Sequence, residues 1–278
     1  MTVSGPTFAN VSDRSPVVRE HPLNQGRQSW WLPIPGGLGG ATLRDLMDRY
    51  PAQLGGSPAW SAGPPTSAAC IRLNGSTQYI DTGVYVQDIM PSAGTVACTF
   101  RPWTAYNSGT QEILWFAAVL GVNEFSCQHY VNNNIYAGFN GGGNDSRVIF
   151  PADPANWPQN QWVTWTLTWR SATAAKLYVN GGELVYTAGQ NTTPLSVASP
   201  LQFGRYYPTG ALPFHGDFAE MSLWNRALSA SEIAQLHDQS RRGYPDLLRR
   251  RRGLLAQPGP LFRPWLAGRA ATIGTGVY

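Results

Sequence analysis

Asp217 and Glu220, in the segment Gly216-Asp217-Phe218-Ala219-Glu220, are close enough in sequence to be weighed as a catalytic pair. Hydrolysis of a glycosidic bond uses two carboxyl groups that flank the bond, one as nucleophile and one as acid. Residues three apart on a β-strand point to opposite faces of the sheet, so these two side chains should diverge. We therefore predict that the pair is not catalytic, and that Glu220 pairs with a loop or caps a turn.

Aromatic residues are the other candidates for chemistry at the surface. The chain has 11 Trp, 12 Tyr and 10 Phe, and sugars stack on exposed aromatic rings. The best candidates for such a platform lie in two predicted loops: Trp103 and Tyr106 in one, and Tyr206 and Tyr207 in the other. Aromatic residues that alternate along strands belong more often to a core. Both roles stay open, and a free concave face that carries these rings would decide between them.

Motifs for other chemistry are missing from the sequence. The four His are not spaced as a metal pair on a helix, and there is no Gly-x-Ser-x-Gly elbow, phosphate-binding loop or dinucleotide fingerprint. The loop at 140–145 could ligate calcium through Asp145 and backbone oxygens, or be a plain hairpin tip. We therefore expect that the protein is not an enzyme and has no metal site or cofactor, although calcium binding stays open. Three cysteines are expected to be small buried residues without a disulfide: Cys70, Cys98 and Cys127.

The C-terminal region carries most of the positive charge. Residues 241–278 hold eight arginines and one acidic residue, whereas the whole chain of 278 residues has a net charge of +4. Apolar residues flank these charges, and Pro and Gly residues interrupt any regular secondary structure. This pattern is typical of an extended tail that lies across a protein partner. The predicted assembly contacts are Arg249, Arg250, Arg251, Arg252, Phe262 and Trp265. A solvated basic stretch is the alternative, and nucleic acid is a less favoured partner.

Short strands separated by turns predict an all-β fold. Only 13% of residues are charged and Gly and Pro are scattered, which argues against a helical bundle. In Trp162–Trp169 the odd positions are apolar, which predicts a strand with one clean apolar face. Lys176–Val179 runs into Asn180-Gly181, a hairpin signal. One helix is predicted from residue 230, because Ser229 and Glu232 form a capping box.

Four segments in order resemble the laminin-G-like branch of the concanavalin A-like lectin/glucanase superfamily. They are Cys70–Asp81, Trp162–Trp169, Lys176–Glu183 and the closing strand with its helix, Gly216–Ile233. The resemblance implies a two-sheet antiparallel jelly-roll sandwich with one short C-terminal helix. The glucanase strand of the family, Glu-x-Asp-x-x-Glu, has no counterpart here. We expect a jelly roll over residues 29–240, an extended N-terminal arm over 1–28 and a basic C-terminal arm over 241–278.

The fold alone implies no activity, so three functions are weighed. The first is a non-catalytic structural protein of a multi-chain assembly, with a homo-oligomer or capsid lattice as partner and a tailed-phage virion surface as the setting. The second is a carbohydrate-binding module, and the third, disfavoured, is a glycoside hydrolase. No classical signal peptide or run of 18 apolar residues is visible, so we expect synthesis in the host cytoplasm and no membrane contact.

Overall fold

The computed structural model describes nine stretches of the chain: residues 17–33, 40–64, 69–119, 123–141, 144–145, 147–171, 175–184, 199–206 and 210–248. Within them the chain forms two antiparallel sheets, a 3-10 turn at Pro22–Asn24, one short α-helix and one longer α-helix near the C-terminus. The predicted all-β jelly-roll sandwich is therefore confirmed.

The first sheet has eight strands within the described residues. They are β1 (Arg27–Trp31), β4 (Ala59–Ser61), β5 (Cys70–Asn74), β7 (Ala93–Pro102), β13 (Val163–Arg170), β14 (Lys176–Val179), β15 (Gly182–Glu183) and β17 (His215–Trp224). Their order is β15-β14-β13-β7-β17-β5-β4, and β1 also pairs with β17. The long strands β7 and β17 lie side by side at its centre.

The second sheet has nine strands in the same described stretches. They are β2 (Thr42–Leu43), β3 (Ala52–Gly55), β6 (Tyr79–Tyr85), β8 (Glu112–Val119), β9 (Asn123–His129), β10 (Asn134–Gly141), β11 (Asn144–Asp145), β12 (Val148–Pro151) and β16 (Pro200–Phe203). Their order is β11-β10-β9-β8-β16-β6-β3-β2, with β12 also paired to β10. A single-turn helix, α1 (Val86–Ile89), follows β6.

The main core lies between the two sheets and is rich in aromatic rings. Strand β13 shows why, because its apolar face, Trp165, Leu167 and Trp169, is completely buried as the alternation predicts. Phe100 of β7 packs edge-to-face on Trp165, with ring centroids 5.3 Å apart. The three cysteines are buried and free, as expected: Cys70, Cys98 and Cys127.

The longer helix, α2 (Ala230–Arg241), covers part of the outer face of the eight-stranded sheet. Its N-terminus is the predicted capping box, because the Ser229 hydroxyl accepts from the Glu232 backbone N–H and the Glu232 carboxylate accepts from the Ser229 backbone N–H. Ile233 and Leu236 are buried against Trp224 of β17 in a second apolar cluster. The helix thus closes one sheet face that would otherwise expose a tryptophan.

The inner parts of the two expected arms pack on the same face. Val17 forms a β-bridge with Leu248, and the Val18 N–H donates to the Leu247 carbonyl at 2.9 Å. Leu247 is completely buried in the cluster under α2. Residues 1–16 and 249–278 lie outside the described residues. Residues 17–28 and 241–248 therefore belong to the packed unit.

A β-bulge in β17 changes which way its acidic side chains point. The register against β7 shifts between Phe218 and Glu220, so Ala219 is an extra residue. Phe218 and Met221 both lie in the main core, which puts Asp217 and Glu220 together on the outer face. The prediction of opposite faces is wrong, because it assumed an unbroken two-residue repeat.

Candidate functional site

Loops from both sheets meet at one end of the sandwich. Strand β7 ends and β17 begins there, and the Trp103 backbone N–H donates to the His215 carbonyl at 2.9 Å. In the next loop pair, the Ile113 N–H donates to the Leu212 carbonyl at 3.1 Å. The β7–β8 loop contains Trp103 and Tyr106, and the β16–β17 loop contains Tyr206. The structure therefore brings these predicted aromatic residues to the same end of the fold.

At this end, the buried carboxylate of Asp217 binds three side chains. It accepts hydrogen bonds from Arg72 Nε at 3.0 Å, Arg101 Nε at 2.9 Å and Trp103 Nε1 at 2.9 Å. Arg101 Nη2 also lies 2.7 Å from the same carboxylate oxygen that Arg101 Nε contacts. Asp217 itself has no exposed surface. One buried anion thus fixes the positions of two cations and an indole ring.

The two guanidinium groups also lie over tryptophan rings. The Arg72 Cζ is 4.5 Å from the Trp103 ring centroid, and the Arg101 Cζ is 4.8 Å from the Trp162 ring centroid. The His215 ring contacts Trp103, with centroids 4.9 Å apart. We call Arg72, Arg101, Trp103, Trp162, His215 and Asp217 the arginine–tryptophan cluster.

Most members of the cluster reach the surface. The side chains of Arg72 and Arg101 are 36% and 25% exposed, and both tryptophans and His215 are partly exposed. Of this cluster, the sequence singled out only Trp103 as a ligand contact. A weak signal existed for Arg72, which stands between the buried Ile71 and Leu73 and must point out of the core.

The buried Glu112 connects the β7–β8 loop to the start of β17, next to the cluster. Its carboxyl group accepts from the Thr104 hydroxyl at 2.6 Å and from the His215 backbone N–H at 3.5 Å. Burial is the main cause that raises the pKa of Glu112 to about 7, and these two hydrogen bonds oppose the shift. Glu112 therefore supports the loop end and has little contact with solvent.

The other predicted platform residues have different surroundings. Tyr106 packs partly against the main core, and its backbone carbonyl lies 2.8 Å from Nε2 of the buried His129. The Tyr206 ring packs on Phe116 of the nine-stranded sheet, with centroids 4.3 Å apart. Among the described residues, no ring contact joins Trp103 to Tyr106 or Tyr206. The predicted assembly contacts Arg249, Arg250, Arg251, Arg252, Phe262 and Trp265, and the platform residue Tyr207, lie outside the described residues.

Glu220 lies on the same sheet face as Asp217 but is buried and does not belong to the arginine–tryptophan cluster. It accepts from the Ser222 hydroxyl at 3.1 Å and from the Tyr244 hydroxyl, which belongs to the segment after α2. Arg27 lies nearby between the rings of Trp30 and Trp224, at 4.1 and 4.4 Å. Burial is the main cause that raises the pKa of Glu220 to about 7 and lowers that of Arg27 to about 9.

No group of three or more His, Cys, Asp or Glu side chains that could hold a metal occurs in the part of the chain that the structure describes. The loop at 140–145, weighed for calcium, is described only in part. Nor do the described helices include one long and apolar enough to cross a membrane.

The two antiparallel sheets, with a helix on the outer face of one of them, define a jelly-roll sandwich protein. Residues 74–234 match a laminin G-type family of the concanavalin A-like lectin/glucanases superfamily. This match spans more than half of the chain, and the chain belongs to that family. Comparison with curated protein sequences gives no significant match.

Solved structures with a similar fold include parts of two larger proteins. A mutant Trypanosoma rangeli sialidase that displays trans-sialidase activity superposes with a TM-score of 0.60 at 16% identity, over 80% of this chain and 34% of that chain. Botulinum neurotoxin type C, whose cell entry depends on interaction with two ganglioside molecules, gives a TM-score of 0.61 at 13% identity, over 78% of this chain and 52% of that one. This chain therefore spans about a third to a half of their length, and the likeness shows the fold alone.

Proposed function

We propose that this protein is a non-catalytic carbohydrate-binding module whose ligand contacts the arginine–tryptophan cluster. The observation that carries the proposal is the pair of partly exposed tryptophans, Trp103 and Trp162, each held beside a guanidinium group at the loop end. Indole rings offer apolar surface to the C–H groups of a sugar, while the arginines offer donors to its oxygens. Binding sites of this kind combine an apolar surface with a few well-placed polar groups.

The fold neighbours support a binding role in outline. One of them is a neurotoxin whose cell entry involves ganglioside binding, and another is a sialidase. Both act on or bind sugars, but the low identities carry over no residue roles. The proposal for this chain therefore depends on the cluster itself.

The surroundings of the acidic residues support a non-catalytic role. Asp217 is completely buried and bound to two arginines, and Glu220 is buried beneath Tyr244. A glycosidase needs two carboxyl groups that reach a glycosidic bond from solvent. Neither residue meets this requirement, although the bulge puts them on the same face.

A structural role on a virion surface stays a prediction. It rests on residues 249–278, which lie outside the described residues. The inner parts of the two arms, residues 17–28 and 241–248, pack on the sandwich of the same chain. This arrangement favours a self-contained module over a domain held only by partner chains.

The test is binding of the full chain to a broad glycan panel, followed by affinities for the best ligand. Trp162→Ala should weaken binding at least about tenfold, as expected when a contacting tryptophan is truncated at the centre of a site. Tyr85→Ala is the control, because Tyr85 is an exposed aromatic residue of β6 that pairs with Pro200 at the far end of β16, and it should leave the affinity unchanged. The proposal is wrong if no glycan binds, or if Trp162→Ala binds as tightly as the wild-type protein.

A further inference from the structure

The arginine–tryptophan cluster has hydrogen-bond donors that no described residue uses. The Asp217 carboxylate accepts hydrogen bonds from Nε of Arg72 and Nε of Arg101, and it is ion-paired with Nη2 of Arg101. Both terminal nitrogens of Arg72 and Nη1 of Arg101 have no hydrogen-bond partner among the described residues. Because the two side chains are partly exposed, these donors can reach a ligand.

The cluster also carries an excess positive charge. Two guanidinium groups are balanced by one carboxylate, and neither arginine makes an ion pair with another described acidic residue. Arginine keeps its charge over the whole physiological pH range. An uncharged ligand would leave this charge without a partner, whereas an anion would neutralise it.

The arginines are held in place before any ligand arrives. Each is fixed at one edge by Asp217 and on one face by a tryptophan ring. A long side chain that is already ordered loses less conformational entropy on binding, so its hydrogen bonds contribute more affinity. The planar guanidinium also matches the geometry of carboxylate and other oxyanion groups.

We infer that the cluster selects an anionic saccharide, whose carboxylate or sulfate group binds the free edges of Arg72 and Arg101 beside Trp103 and Trp162. This inference rests on the proposed function, since the tryptophans bind the sugar ring and the arginines bind the acidic substituent. Carboxylated and sulfated sugars share the required chemistry, a compact group of negatively charged oxygens.

The test compares four probes of similar length on the full chain by titration calorimetry: a uronic acid hexamer, a sulfated heparin-derived hexamer, a neutral cellulose hexamer and a single-stranded DNA hexamer. At least one anionic hexamer should bind at least about tenfold more tightly than the neutral one, the size expected for a charge-assisted pair. Comparison of the first two probes identifies the acidic group.

The variant for this test is Arg72→Gln, which removes one charge but leaves Asp217 with Arg101 and Trp103 as partners. It should reduce the preference for the anionic hexamer by about tenfold. Arg72→Lys keeps the charge but lacks the planar guanidinium group, so its preference for the anionic hexamer should lie between those of the wild-type protein and Arg72→Gln. If Arg72→Gln does not fold, Arg72→Lys takes its place in the test. Arg44→Gln, at an exposed arginine paired with Asp48, is the control and should bind like the wild-type protein.

The outcomes separate this inference from the proposed function. If neutral and anionic hexamers bind equally and Trp162→Ala weakens both, the protein binds carbohydrate but the anionic inference is wrong. If no hexamer binds, the anionic inference is wrong, and the broad glycan panel alone decides the proposed function. If the DNA hexamer binds as tightly as the anionic sugars, the cluster is a general polyanion site and the saccharide inference is overturned.

Discussion

Glu220→Gln should remove a large part of the pH dependence of stability. In the folded protein, Glu220 is buried with the hydroxyl groups of Ser222 and Tyr244, and burial raises its pKa to about 7 from the ordinary value of 4.5. In the unfolded chain its pKa returns to the ordinary value. Between these two values the folded protein holds a proton that the unfolded chain has released.

The sign and size of the effect follow from this difference. The contribution of Glu220 to stability is fully present below about pH 4.5 and is lost as the pH rises through about 7. One pKa unit corresponds to about 1.4 kcal/mol. The free energy of unfolding should therefore fall by about 3 kcal/mol between these pH values because of this group alone. Glutamine cannot ionise, so Glu220→Gln should lack this fall.

The assay is urea unfolding followed by tryptophan fluorescence at pH 5 and at pH 8. The change in unfolding free energy between the two pH values should be about 3 kcal/mol smaller for Glu220→Gln than for the wild-type protein. Glu183→Gln, at an exposed residue that pairs with Lys176, is the control and should keep the wild-type change. A wild-type change in Glu220→Gln would refute the reasoning, because Glu220 would then ionise equally in both states. Glu112 has a similarly raised pKa, so Glu112→Gln should also make the change in unfolding free energy between pH 5 and pH 8 smaller than in the wild-type protein.

Three further substitutions test how the fold holds its loop end and helix. Asp217→Ala should lower the free energy of unfolding by about 1–3 kcal/mol in thermal or urea denaturation, because Arg72, Arg101 and Trp103 lose their shared acceptor while the two partly exposed arginines keep contact with water; unchanged stability would contradict the geometry. Gly204→Ala should cost about 1–3 kcal/mol in urea unfolding, because φ is +89° and the new Cβ would lie 2.2 Å from Leu73 Cδ1; unchanged stability would exclude this close contact. Ser229→Ala removes the N-cap that accepts from Glu232, and should cost about 1 kcal/mol by the same measurement; an unaltered midpoint would mean that the cap contributes nothing.

The sequence by itself determined the elements whose physics is local. Alternation along Trp162–Trp169 predicted the buried tryptophan face of the strand Val163–Arg170, because the side-chain repeat of a strand is fixed by backbone geometry. The Asn180-Gly181 dipeptide predicted a hairpin between β14 and β15, and both residues adopt the positive φ that such a turn requires. The capping box at Ser229 located the start of α2 for the same reason. Each signal is contained in a few neighbouring residues.

Only the tertiary structure decided where the functional side chains meet. The bulge at Ala219 reverses the face of every residue after it, and nothing local in the sequence marks it. Asp217 contacts Arg72 and Arg101, which are 145 and 116 residues away in the chain. Such contacts depend on which strands become neighbours in a sheet, and strand pairing is set by the packing of the whole core. The sequence therefore predicted a sandwich with aromatic loops, whereas the cluster of two cations around one buried anion required the folded chain.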